Sequence, residues 1–504
     1  MLSEPVIGGR SGKLTSLRRR ASEGSCEWKT SDMRKFLTLP SVYDSGTLPP
    51  HLSRRGSPVE AIFLVAVFFL SLAACDSAGP PAEEDRPCGS FAGCSTLNGI
   101  SQVRGEPFVV SDALASDSVL YVALSSLTRR FDSTKFNPDE VYVLSRRLGG
   151  PEADSTWRMR QMSDKPEGPS GGGMGAPTLA FDTDGTVHLL WGNQTFFRSG
   201  QVMPTEILEA TGRRGAWSEP VSIYEMPPLG RSLSSGRLPA PMARDGSGRL
   251  HAAFRIPDGT GGFGRVQFIR RQGGNWTEAG SPFGEDTQNP WLAGTSDGAL
   301  ITAYIGLKDE GPSGLLFRKS PDGGQTWSAP EKIIGLGNSQ EDPDVRVYAP
   351  RILESAPGTY HVLFPYDTPG QSSVLSDQIW HSVSRDGGQT WSEPGPVNSN
   401  DRDFADNLTT AVDGVGRVHA VYYEGPVFSN ETKARVRHAV WDEQRWQQQP
   451  DLSTGEIMVS GNQAIGLTAG PSGCLHVIWD EVIERGEGGI ERTTRLRYRR
   501  LGCQ

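Results

Sequence analysis

The chain has 504 residues, of which 36% are hydrophobic, 61 are glycine and 36 proline; 50 basic and 59 acidic side chains give a net charge of −9. Such a length and apolar share support one large β domain or a few smaller ones. The acidic balance, without any basic stripe, argues against a nucleic-acid partner.

Taken from the N-terminus, residues 1–57 are Ser-, Arg- and Pro-rich and aperiodic. They read as a disordered or over-annotated extension, translation being expected to start downstream of Met1, at Met33 or at a non-Met start nearer Val59. Residues 58–74 read as a signal peptide. The apolar run in AIFLVAVFFLSLAAC (61–75) is about fourteen residues, too short to span a ~30 Å bilayer core but right for a signal h-region. Its end, Leu72-Ala73-Ala74-Cys75, resembles a bacterial lipobox. That resemblance implies cleavage before Cys75, a diacylglycerol on its thiol, and a lipid anchor in the cell envelope facing the periplasm or the cell surface. Residues 75–95, with DSAGPPAEEDRP at 76–87, read as a flexible acidic tether. From Cys75 onward there are 40 basic and 53 acidic residues, a net charge of −13. Cys88, Cys94, Cys474 and Cys503 follow; an even count in an exported chain predicts two disulfides, 88–94 and 474–503.

Residues 96–504 lack long helical periodicity. Short apolar runs parted by Gly, Asp and Pro predict an all-β fold of many short strands. One phrase recurs: APTLAFDTDGTVHLLW (176–191), APMARDGSGRLHAAF (240–254), NPWLAGTSDGALITAY (289–304), APRILESAPGTYHVLF (349–364), DNLTTAVDGVGRVHAVY (406–422) and NQAIGLTAGPSGCLHVIW (462–479). FVVSDALASDSVLYVAL (108–124) is a weaker copy. Successive copies of the His position, 188, 251, 301 (an Ile), 361, 419 and 476, are 50 to 63 residues apart. Four-stranded repeats of about this length predict a β-propeller. Seven copies predict seven blades; six follow if 108–162 is an extension. The last module stops after its third strand, RTTRLRYRRL (492–501), while GEPFVV (105–110) looks like an outer strand with no third strand before it. The N-terminal segment is thus expected to supply the missing outer strand of the last blade and close the ring.

Modules four and five carry SPDGGQTWS (320–328) and SRDGGQTWS (384–392) between their third and fourth strands. Paired glycines permit a positive-φ turn, Asp322 and Asp386 can accept from the turn's own N–H groups, and Trp327 and Trp391 supply buried rings. The strings resemble the Asp-box, or BNR repeat, of sialidases and several other propeller families. In a propeller these turns share one face with the hairpins joining first and second strands. The longer connections, 125–140, 163–176, 193–204, 225–239 and 335–347, share the opposite face, where ligands are expected.

Sialidase resemblance implies three arginines clamping a carboxylate, a Tyr–Glu nucleophile and an Asp acid/base. Arg255-Ile256-Pro257 matches the family's Arg-Ile-Pro, although in the third module instead of the first. Arg351, Tyr423, Glu424 and Asp286 are the further candidates, with Asp258 also following Arg255. The histidines at 188, 251, 361, 419 and 476 fall in successive blades and need not converge on one ion. They are expected to fit inter-blade packing and bond a neighbouring blade's backbone. No metal or other cofactor is predicted. The expected function is glycan or envelope-protein binding on the loop-rich face, the alternative an exo-α-sialidase-like glycoside hydrolase.

Overall fold

The computed structural model describes residues 94–96, 108–126, 140–148, 157–163, 177–196, 202–213, 215–226, 240–256, 264–280, 282–306, 314–335, 347, 349–366, 378–398, 403–426, 433–453, 457–458, 465–485 and 492–502. The extension, signal segment, Cys75, Cys88, Asp258 and Cys503 lie outside these residues, as does most of the backbone of the longer connections.

The described chain is all-β: seven four-stranded antiparallel blades form a propeller. Blade 1 runs Phe108–Ala115, Val119–Ser126, Val141–Arg147, Arg158–Gln161. The innermost strands of blades 2 to 7 are Thr178–Phe181, Met242–Arg244, Thr287–Gly294, Arg351–Ala356, Asp403–Val412 and Gly466–Ala469. Each pairs with the second strand that follows it, which carries the repeated histidine in every one of these blades but blade 4, where Ile301 stands. The six-bladed alternative is thereby excluded.

Ring closure differs in detail from the expectation. The outer strand of blade 7 is Cys94–Thr96, paired antiparallel with Arg492–Leu501. Residues 108–110 of GEPFVV instead begin the innermost strand of blade 1. Their apolar character suits either place, and pairing with Val119–Ser126 decides it. In blade 7, Leu475 lies opposite Leu501, which sets the C-terminal segment beside Cys474. Cys474 is disulfide-bonded; Cys503, its expected partner, lies outside the described residues.

The cohesion lies between blades. Seven clusters of buried side chains occupy the seven blade–blade interfaces, the last joining Val110, Leu120 and Tyr142 of blade 1 to Ile478, Leu496 and Tyr498 of blade 7. The second strands explain this. Alternate residues of LHAAF point to opposite interfaces: Ala252 and Phe254 toward blade 2, Ala253 toward blade 4. A strand covered on both faces reads as a continuous apolar run. Each fully buried ring such as Phe254 contributes about 1.5–3 kcal/mol.

Candidate functional site

The innermost strands line the axis, and register shows which residues share one level of it. Opposite Ala123, Leu190, Ala303, Leu363, Val421 and Ile478 stand Asp112, Thr178, Trp291, Arg351, Thr409 and Gly466. Pro241 takes the corresponding place in blade 3, its carbonyl accepting from Ala253 N–H. Blades 1, 4 and 6 reach this level through β-bulges between Val110 and Asp112, Gln288 and Trp291, and Asp406 and Thr409. Asn289 and Asn407 have φ of 51° and 57° at those bulges. Bulges re-aim side chains and recur beside functional sites.

Three charged residues of this inner wall sense one another. Arg351 of blade 5 feels both Asp112 of blade 1 and Asp406 of blade 6. Blades 1 and 5 are not neighbours, so their charges meet across the axis. No carboxylate among the described residues comes within 4.0 Å of Arg351. Its Nη1 donates to the carbonyls of Ala349 (3.0 Å) and Pro350 (3.3 Å). Its guanidinium lies over the Trp291 ring, 3.7 Å from the centroid. All three charged side chains are half-buried, walled by protein but not sealed.

Burial pushes the Asp112 carboxyl up to about 6, against the opposing pull of the Leu179 and Ala113 N–H groups and of Arg351. Those N–H donors lie 2.8 Å from Oδ2 and Oδ1. Asp406 is also raised by burial, with the Asn407 N–H and Arg351 opposing. Burial draws Arg351 down to about 10, Asp112 and Asp406 holding it up. A cation with an aromatic plate and two weakly acidic carboxyls can bind an anionic or polyhydroxylated ligand and deliver a proton to it.

Of the sequence candidates, Arg351 belongs to this group. Asp286, with φ of 51°, stands just before the innermost strand of blade 4. Arg255 is the penultimate residue of the second strand of blade 3, partly exposed and opposite Val266. Tyr423 and Glu424 are not brought to the axis with Arg351. Tyr423 is fully buried between blades 6 and 7, its hydroxyl donating to the Asp480 carbonyl (3.3 Å). Glu424 is buried too and accepts from Arg437 Nε at 2.6 Å. Neighbours on a strand point to opposite faces, so the pair cannot act as one unit. Asp112, Trp291 and Asp406 were missed by motif matching. Trp291 stands ten residues before the repeated position of its module, as Thr178 and Arg351 do in theirs, a spacing present in the sequence; Asp112 stands nine before Tyr121 and Asp406 precedes its bulge, so neither follows that spacing.

The repeated histidines are clasps within a blade, correcting the expectation of bonds to a neighbour's backbone. In blade 6, His419 Nε2 meets Asp413 Oδ2 (3.1 Å) in the first hairpin, and Nδ1 meets His438 Nε2 (2.9 Å) on the third strand. Asp182–His188–Glu209 and Ser355–His361–His381 repeat the arrangement. The hairpin residue always lies six before the histidine, a spacing present in the sequence. No group of three or more His, Cys, Asp or Glu able to hold a metal occurs among the described residues.

The two DGGQTW turns are self-satisfied. Asp322 Oδ1 accepts from the N–H groups of Gln325 (3.0 Å) and Thr326 (2.8 Å), and Oδ2 from the Thr326 hydroxyl (2.6 Å). Asp386 repeats this with Gln389 and Thr390. Trp327 packs edge-on to Phe268 of blade 3, and Trp391 to Phe317 of blade 4.

Among solved structures the chain is similar to a protein of unknown function from Dyadobacter fermentans DSM 18053, at 14% identity over 81% of this chain and 100% of that one, with a TM-score of 0.43. It is similar to the polysaccharide lyase Uly1 at 13% identity over 78% and 90%, TM-score 0.45. It is similar to the Trypanosoma rangeli sialidase in complex with sialic acid at 14% identity over 78% and 54%, TM-score 0.42. No protein-family model matches the chain, and no curated protein matches it.

Proposed function

We propose that this chain is a cell-envelope lipoprotein, anchored through Cys75, whose propeller binds a glycan at the axial end carrying the longer connections. The observation that carries the reading is Arg351 lying on Trp291, with Asp112 and Asp406 near enough to act on its charge. An indole plate beside a guanidinium suits a sugar ring bearing an acidic substituent, and the acids suit its hydroxyls. Binding of the full-length protein to an array of acidic and neutral oligosaccharides tests this. Acidic glycans should be retained, and Arg351→Ala should weaken retention at least about tenfold, the scale of one charge-assisted contact. Equal retention by the variant overturns the site, and Cys75→Ser leaving the protein in the membrane fraction overturns the anchor.

One observation favours a second reading, a glycoside hydrolase of sialidase type. Asp112 with a pKa of about 6 is a carboxyl able to hold a proton for a leaving group near neutrality. On that reading a fluorogenic sialoside is cleaved, activity falls as pH rises through about 6, and Asp112→Asn abolishes it. No turnover by the unaltered protein rejects catalysis on that substrate and leaves the binding reading in place.

A further inference from the structure

The face opposite the longer connections holds a cavity of about 580 Å³ between blades 5 and 6. Its origin can be traced by comparing blades. In blades 4 and 5 the turn before the outer tryptophan is DGGQTW, and its second glycine sits on the preceding blade's phenylalanine. A Cβ on Gly324 would meet Phe268 Cε1 at 2.3 Å, and one on Gly388 would meet Phe317 Cε1 at 2.2 Å. Turn and ring fill the space between them.

Blade 6 departs from this at two places. Its turn is Asp442-Glu443-Gln444-Arg445-Trp446, one residue shorter between Asp and Trp and without glycine. The ring that it should cover is not phenylalanine but His381, in the register place held by Phe317 in blade 4. Trp446 stands edge-on to His381 (5.2 Å between centroids), as Trp391 does to Phe317. A second indole, Trp441, lies 4.7 Å from His381 and 5.5 Å from Trp446. Both indoles remain partly exposed and line the cavity.

The rim is polar and balanced in charge. Arg385, Arg445, Glu393 and Glu443 line it, all four exposed; Arg445 Nε lies 3.7 Å from Asp442 Oδ2, and Arg385 Nη2 donates to the Glu443 carbonyl (2.9 Å). Glu443 has φ of 74°, in the left-handed region. Blades 4 and 5 place glycine there, at Gly323 and Gly387. A glutamate in that conformation costs on the order of 1–2 kcal/mol, and strain of this kind collects at functional sites. Its side chain at the rim gives the strain a use.

We propose that this cleft is a second ligand site, separate from the axial one, and that it takes a pyranose ring of a neutral oligosaccharide. The indoles offer a flat apolar plate for the C–H face of the sugar, and the Arg and Glu side chains of the rim offer donors and acceptors to its hydroxyls. Balanced rim charge gives no preference for an acidic sugar. A peptide would need a longer apolar trough than one pair of indoles supplies.

Tryptophan fluorescence and saturation-transfer NMR on the full-length protein, titrated with cellohexaose, maltohexaose, mannohexaose and a deca-proline peptide, decide it. At least one of the three hexasaccharides should bind, with contacts from the protein to the pyranose C–H protons. Trp441→Ala should weaken that binding by about tenfold or more, the scale of a lost aromatic anchor. Because Trp441→Ala could perturb folding, Glu443→Gly is the second variant. It should unfold at the same or a higher temperature yet bind several-fold more weakly. Arg351→Ala should leave hexasaccharide binding intact, which separates this site from the axial one. The proposal is overturned if none of the hexasaccharides binds at millimolar concentration, if only deca-proline binds, or if binding survives both cleft variants.

Discussion

At the scale of single residues, the DGGQTW turns show how one position can be constrained twice. Gly388 has φ of 92°, and its missing Cβ also makes room for Phe317. Gly387 beside it has φ of 75°, but a Cβ there would meet nothing within 4 Å. Gly387→Ala should therefore cost about 1–2 kcal/mol, the strain of a left-handed residue alone. Gly388→Ala should cost at least about twice that, because the ring must also shift. Urea denaturation of the two variants checks the order; equal losses would show that Phe317 moves freely. The sequence announced these glycines as a turn, but the phenylalanine lies on another blade and could not be read from the string.

At the scale of the element, the clasp joins a blade's first hairpin, second strand and third strand. All seven histidines of the described residues are buried. Burial first, then the charges of His419, Arg499 and Arg417, hold His438 down to about 3; burial and then Arg385 hold His361 down to about 4. As pH falls below about 6.5 the unfolded chain takes up protons there and the folded chain does not. Stability is therefore complete above about 6.5 and drains away toward pH 3–4. His438→Phe copies blade 3, where His251 stacks on Phe268 at 5.4 Å. The variant should lose roughly 1–2 kcal/mol at pH 7 for the missing hydrogen bond. Its stability should also fall less steeply below pH 6.5, by up to ~1.4 kcal/mol per pH unit. Denaturation midpoints measured from pH 7 to pH 4 read the slope, and an unchanged slope would refute the assignment. The histidines were legible at once as a repeat. Their partners were not, because Glu209, His381 and His438 stand on a third strand whose register only pairing fixes.

At the scale of the whole molecule, closure rests on a three-residue strand. Cys94–Thr96 covers the edge of Arg492–Leu501 that would otherwise present unpaired backbone groups. Deleting residues through 96 should lower the melting temperature and promote association; deleting only residues 1–87 should do neither. Scanning calorimetry and light scattering distinguish the two, and an unaltered melt after the longer deletion would remove closure from that strand. By itself the sequence determined the class and count of elements: period-two apolar runs, seven copies of one phrase and glycine turns between them are local signals. It also brought Arg351 into view as a candidate for a carboxylate clamp. Only the tertiary structure decided that Asp112, Trp291, Asp406 and Arg351 form one group while Tyr423 is sealed in a core. Which inner-strand residues meet is set by ring closure and by bulges that shift register, and those relate residues some 240 positions apart, as Asp112 is from Arg351.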